Sequence, residues 1–519
     1  MTITRRQFLI GTGAVAGASF VGVAGPAFAS AAVDPATAGR NRLVVIFLEG
    51  GNDGLNTVVP RGDVAGAPRM SVYRKARPTL AYPASRLLPL DRTSDDDAQL
   101  LGFNPGLTRL HAAYRDGRVA VVQGVDYPNH NYSHFASSDI WHAGNPASTS
   151  TGWLGRHLDR VGMGEGELRG VAVSPRLPLM LQGHGVSGAS IASIGTMRYR
   201  DGSSAVATTR HLALPSLGAG ARTGDPLRQR VAASLRQTVD VVADLSTTTP
   251  PPAGAAPIFD SLATARTLLE QNLGVECVYV GYSGFDTHTT QTSTHGALLV
   301  HLDEALDAFW AALDPTLASR TLVMVVSEFG RRLGQAGAGA VAGTDHGAAA
   351  PVILVGPPQS STLVGGLHGD HPKLGTTAAP ADNLMLTTDV RHVYQAVLTS
   401  WLHDPDPLYA AADTTPLHGL FTSSPVAIGT GRSVRIGDAA RVDAAPSASS
   451  TSSSVLAGRA AHARGAFRIR DSSSGDHRSV PASSALAALA FNAFVAAVVV
   501  RSGRFREALD GWRPRDDVS

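Results

Sequence analysis

"NRLVVIFLEGGNDG", residues 41–54, opens on an apolar run and closes on a turn of glycine, asparagine and aspartate. Leu43 to Leu48 show no apolar–polar alternation, so both faces of the segment must be covered, and its length suits a strand. Other short runs repeat the form: "VAVVQGV" (119–125), "GVAVS" (170–174), "VECVYVGY" (275–282), "TLVMVVSEFG" (321–330) and "PVILVG" (351–356). Strands of this kind predict a parallel sheet buried on both sides. Between them the spacing predicts helices over 226–245, 258–273 and 295–313. In the last, Leu298, Leu299, Leu302, Leu306, Phe309 and Trp310 recur at helical spacing. Strand and helix in alternation give a three-layer, doubly wound α/β fold with a mostly parallel sheet. "TTDVRHVYQAVLTSWL" (387–402) reads as a closing helix capped by Thr387 or Thr388.

The 519 residues are ample for a sizeable core, and 43% hydrophobic content excludes wholesale disorder. A formal charge of +2 predicts no nucleic-acid partner, which would want a concentrated basic face. Cys277 is the only cysteine, so neither an internal disulfide nor a thiolate zinc cluster can form. It lies in an apolar run and reads as a small buried hydrophobe.

At the N-terminus, residues 1–31 carry paired Arg5 and Arg6, then Phe8 and Leu9, a Gly/Ala-rich stretch and a small-x-small ending at Ala27-Phe28-Ala29. That is the twin-arginine export pattern; the repeated glycines make a poor anchor helix. The expectation is export by the twin-arginine machinery to the periplasm, cell surface or exterior. The domain then runs over 40–421, with "STTTPPPAGAAP" (246–257) as a surface loop. Residues 422–519 form a Ser/Ala-rich tail with a serine cluster at Ser447–Ser454. Its apolar run 485–500 is short for a membrane span of about 20 residues, so packing on protein is favoured over membrane contact.

In open parallel sheets ligands collect outside the carboxyl ends of the strands, which makes the polar residues there worth separating out. The first strand delivers Asn52 and Asp53; "DYPNHNYSHFASSDIW" follows the second, with Ser133 and His134 at a helix start. "SGFDTH" brings Asp286 and His288, "SEFGRR" brings Glu328 and Arg331, and the next loop holds Asp345 and His346. Singly, each has a structural explanation. Asp53 could form an Asx turn, Ser133 and Asp286 could cap helices, His288 could lie on the surface, and Glu328 with Arg331 could be a local ion pair. Together, carboxylates converging on one crevice would repel and raise each other's pKa. A divalent cation removes that cost and gathers oxygen and imidazole ligands. Asp53, Asp286, His288, Glu328, Asp345 and His346 are therefore candidate metal ligands.

"IFLEGGNDGLNTVVP", "NYSHFASSDIW", "GFDTHTTQ", "LVMVVSEFGR" and "GTDHGAAAPVILVG", in this order, resemble the exported bacterial proteins of domain-of-unknown-function family 1501. That family in turn resembles the alkaline phosphatase and sulfatase superfamily. The likeness implies a metal-dependent hydrolase of phosphate or sulfate esters, acting on a small or polymeric ester with one or two divalent ions such as Zn, Ca or Mg. It implies that Asp53 is the first metal-binding acid and Ser133 the nucleophile. Asp286 and His288 match the Asp-and-His pair of one metal site. Glu328-Phe329-Gly330 stands where the superfamily has Asp-His-Gly, with His346 supplying the last imidazole; alternatively Asp345-His346-Gly347 is itself that element. Two departures stand out. Asp286 and His288 are two apart where the phosphatases usually have four, and Phe329 cannot bind metal. His134 could donate a proton to the leaving group or serve as a ligand. A binding or assembly protein that keeps this fold without catalysis is the competing expectation. An acyl-type serine hydrolase is disfavoured, because no Gly-x-Ser-x-Gly surrounds Ser133.

Overall fold

The computed structural model describes residues 39–65, 69–162, 168–185, 188–193, 256–271, 273–358, 362–374, 383–406, 408 and 415–422. The expected signal segment, the helix over 226–245, nearly all of the 246–257 loop and the tail with its 485–500 run lie outside the described residues.

Nine strands make the central sheet: β1 (Arg42–Glu49), β2 (Val119–Asp126), β3 (Gly170–Val173), β4 (Ala189–Ser190), β5 (Cys277–Ser283), β6 (Thr321–Val326), β7 (Ala350–Val355), β8 (Gly366–His368) and β9 (Thr388–Asp389). Their order is β8–β2–β7–β6–β1–β5–β3–β4, with β9 also against β2. β1 sits between β5 and β6, parallel to both, with Val44 opposite Val278 on one side and Val323 on the other.

Successive side chains of a strand point to opposite faces, and both faces here are dry. Val44, Ile46 and Leu48 of β1 pack with Val278, Val280, Val323 and Val325 beneath α2 (Thr108–Arg115), α5 (Pro257–Glu270) and α6 (Gln291–Ala312). Leu43, Val45 and Phe47 pack the other way. They meet α3 (His134–Ala143) and α4 (Trp153–Val161) through Trp141 and Trp153, and α7 (Val390–Ala396) through Val390, Val393 and Tyr394. Burying each such side chain is worth about 1.5–3 kcal/mol, so neither face tolerates a polar residue at the centre of the sheet. The result is the three-layer α/β architecture the unalternating runs imply. Cys277 is fully buried and its thiol pKa is pushed well up by that burial.

Two local expectations are corrected. The closing helix begins later than Thr387 or Thr388: Asp389 is its N-cap, accepting from the Arg391 N–H at 2.9 Å, while Thr388 pairs with Val125 in the sheet. The carboxylate accepts more strongly than a hydroxyl at a helix start, which decides the boundary. The second correction concerns direction. β7, "APVILV", runs antiparallel to both neighbours, with Ile353 opposite Val325 and Val121. Burial on both faces made it look parallel, since periodicity reports coverage and not direction. The inversion matters for the site. A parallel strand would start at the edge away from the strand carboxyl ends, whereas β7 starts at that edge and brings the residues before it there.

Candidate metal centre

The turn after β1 is built for close approach. Gly50 and Gly51 have φ of +120° and +78°, and a Cβ on Gly50 would overlap the backbone of Asp286. Four loops meet at this edge: 50–53 after β1, 285–288 after β5, 327–333 after β6 and 343–349 before β7. The last two pair briefly, Gly330 with Gly347 and Arg331 with His346. This two-residue ladder joins the "SEFGRR" and "GTDHG" motifs, and neither pattern announces it.

Asp286 lies at the centre. Its Oδ1 is 3.0 Å from His288 Nε2 and 3.1 Å from His346 Nε2, and Oδ2 is 3.5 Å from His134 Nε2. The Nε2 atoms of His288 and His346 are themselves 3.0 Å apart. His134, Asp286 and His346 present ligand atoms within 4.8 Å of one another, and His288 adds a third imidazole.

Each ring is turned by what its other nitrogen meets. His346 Nδ1 lies 2.9 Å from the Tyr132 carbonyl, which can only accept, so Nδ1 carries the proton and Nε2 offers a lone pair. His134 Nδ1 lies 2.8 Å from Glu328 Oε1, and His288 Nδ1 3.3 Å from Asp345 Oδ1. Backing of this kind, by carbonyl or carboxylate, fixes the tautomer of metal-binding histidines. Phe329, fully buried, packs its ring 5.0 Å from His134 and 4.6 Å from His346. The apolar ring thus serves as a wall behind two imidazoles. On the His288 side, a Cβ on Gly343 would overlap the His288 carbonyl, so that loop can pass only with glycine there.

The charge states of Asp286 and His346 suit ligation. Partial burial pushes the Asp286 carboxyl up, but the hydrogen bond and charge of Arg331 prevail and hold it down at about 2. Burial lowers the His346 pKa, keeping the ring neutral near pH 7. His134 moves the other way, chiefly through its hydrogen bond to Glu328.

The eight residues singled out in the sequence therefore divide. His134, Asp286, His288 and His346 converge with ligand atoms inward. Glu328 is 1% exposed and spent on Gly50 N–H, His134 and Ser327, which makes it a backing residue. Asp345 backs His288 and is otherwise exposed. Ser133 occupies the N-cap of α3 with its side chain exposed and making no capping bond. Asp53 is not brought to the centre: it is wholly buried and ion-paired with Arg77 at 2.6 Å. Glu328 and Arg331 do not form the local ion pair their spacing allows; the Arg331 guanidinium reaches Asp286 at 2.8 Å instead. Sequence reading missed Arg77 altogether, since nothing in "RKARPTL" marks a buried cation.

Three imidazoles and a carboxylate form a donor set suited to a zinc-type ion, whereas calcium and magnesium prefer all-oxygen shells. The fold and this edge define a three-layer α/β protein with a histidine-rich centre at its strand ends. Residues 113–417 match the family model described as "Protein of unknown function (DUF1501)", and the chain belongs to that family. No curated protein matches it. Among solved structures, the PH0037 protein from Pyrococcus horikoshii is similar at 10% identity with a TM-score of 0.23, over 62% of this chain and 88% of that one.

Proposed function

We propose that the protein is an exported, metal-dependent hydrolase of phosphate or sulfate esters on an alkaline phosphatase-like fold. One observation carries the reading: Asp286 Oδ1 lies 3.0–3.1 Å from the Nε2 atoms of His288 and His346, themselves 3.0 Å apart, and Asp286 Oδ2 lies 3.5 Å from His134 Nε2. With the Nδ1 atoms turned to acceptors, the Nε2 atoms set lone pairs against one another and against the carboxylate, whose Oδ1 also accepts from Arg331. A single proton can relieve one such pair; a cation relieves all of them. Tetrahedral coordination with Zn–N of about 2.0 Å puts ligand atoms roughly 3.3 Å apart, close to the spacing here. When bound, such an ion would supply Lewis-acid polarisation of an ester oxygen.

The chain's own residues supply the rest. Ser133 directly precedes His134, so a hydroxyl and a ligand leave the chain side by side at the N-terminus of α3. The first-turn N–H groups of that helix favour an anion at this spot. Ser133 Oγ is the nucleophile of the proposal, and Asp286 and the backed imidazoles hold the ion beside it. Export by the twin-arginine route would place the reaction in the periplasm, at the cell surface or outside. The commitment of Asp53 to Arg77 is the observation that favours the second reading, a binding or assembly protein without catalysis.

The test is turnover of aryl phosphates and aryl sulfates by zinc-loaded full-length chain, compared with Ser133→Ala. The expected result is a loss of about 10³-fold or more with zinc binding retained. Equal turnover by the variant removes the nucleophile, and a wild-type chain inert toward both ester classes favours the binding reading.

A further inference from the structure

We propose that the centre holds one divalent cation, and that two buried guanidinium groups, Arg77 and Arg331, do the work of a second. The inference rests on the cation reading above and fixes its stoichiometry.

Asp53 and Asp286 are the acids of the loops after β1 and β5. Asp53 Oδ2 accepts from Arg77 Nη1 at 2.6 Å and from the Gln291 amide. The rest of the Arg77 fork is spent nearby: Nη1 also on Asn56 Oδ1 at 2.8 Å, Nε on the Leu333 carbonyl and Nη2 on the Arg332 carbonyl, each at 2.8 Å. Arg331 is 1% exposed and equally committed. It donates to the carbonyls of Gly51 (2.7 Å), Thr344 (2.7 Å), Phe285 (3.0 Å) and Gly50, and to Asp286 Oδ1 at 2.8 Å.

Between them the two side chains tie down all four loops that form the centre. A shared metal ion gathers loops and cancels acidic charge in the same manner, but an arginine is permanently charged and cannot be chelated away. Asp53 Oδ1 makes no hydrogen bond, yet one oxygen is far short of a divalent shell. Its surroundings are N–H donors of Arg77 and Gln291, with the positive charge of Arg331 also near, and these repel a cation. Among the described residues the group at Asp286 is the one place where three or more His, Cys, Asp or Glu side chains each present a ligand atom within 4.8 Å of the others.

Zinc chloride titrated into chelator-treated, full-length protein, read by calorimetry and by metal content, decides the matter. The expected result is about one zinc per chain. Asp286→Asn should weaken binding about 100-fold or more, while Asp53→Asn should change it less than the ~10-fold that an outer partner of a ligand costs. Should Asp53→Asn fail to fold because Arg77 is left unpaired, Asp53→Asn with Arg77→Met removes both charges and gives the same readout. Two zinc ions per chain, or a loss in the Asp53 variants matching Asp286→Asn, would overturn the inference while leaving the cation reading intact. No zinc in the wild-type chain would overturn the cation reading, and this inference with it.

Discussion

A histidine offers a metal one nitrogen, and which one depends on what holds the other. Glu328 is the clearest case at this centre: buried, its Oε1 receives both the Gly50 N–H and His134 Nδ1, each at 2.8 Å. Glu328→Gln keeps the shape but can present its NH₂ to the ring, and the tautomer is no longer fixed. Zinc affinity of that variant should fall about 10- to 100-fold with the zinc-to-protein ratio unchanged. A ratio that drops instead would make Glu328 a direct ligand, as its place at a strand end first suggests. The strand-end rule found His134, Asp286, His288 and His346 because it needs only the order of runs and turns. It could not rank the acids. Whether Asp53 meets a metal or a guanidinium depends on Arg77, a residue 24 positions away on the far side of α1 (Arg69–Ala76), and no pattern in the chain ties the two.

At the scale of elements, the apolar runs were legible to within about two residues at each end, because burial on two faces leaves a plain signature. The exception is "TLVMVVSEFG" (321–330), which runs on past a strand that stops at Val326. Direction was not, and the antiparallel β7 is what carries His346 to the centre. A second polar cluster, at the opposite end of β5, was also invisible in the sequence. His157 of α4 is fully buried, with Nδ1 2.7 Å from Asp404 and Nε2 3.1 Å from Glu276, just before β5. Arg160 and Arg169 flank the two acids. Burial alone would lower the His157 pKa, but its bonds to Asp404 and Glu276 prevail and raise it. A folded pKa above the unfolded value of about 6.5 means the clamp contributes fully below that pH and fades as pH rises through the folded value. His157→Gln should therefore cost about 3 kcal/mol at pH 6. The difference from wild type in urea unfolding should shrink as the pH is raised above neutrality. A gap that stays constant or widens with pH would mean the ring is neutral in the folded chain.

For the molecule as a whole, a sheet dry on both faces forces polar chemistry to its edges, and the edges are where the loops are. Helices on each side bury the strand centres, so the four loops at the carboxyl edge are left to bring side chains together. Among the described residues no helix is long and apolar enough to cross a membrane. The rigid frame explains how acids and imidazoles separated by more than two hundred residues, from His134 to His346, can be placed with ligand atoms within 4.8 Å of one another. The most direct measurement is X-ray absorption at the zinc edge on the zinc-loaded, full-length protein. The account predicts a nitrogen and oxygen shell at about 2.0 Å with the outer-shell scattering of several imidazoles, diminished in His288→Ala. A spectrum of a hydrated ion without imidazole scattering would contradict it.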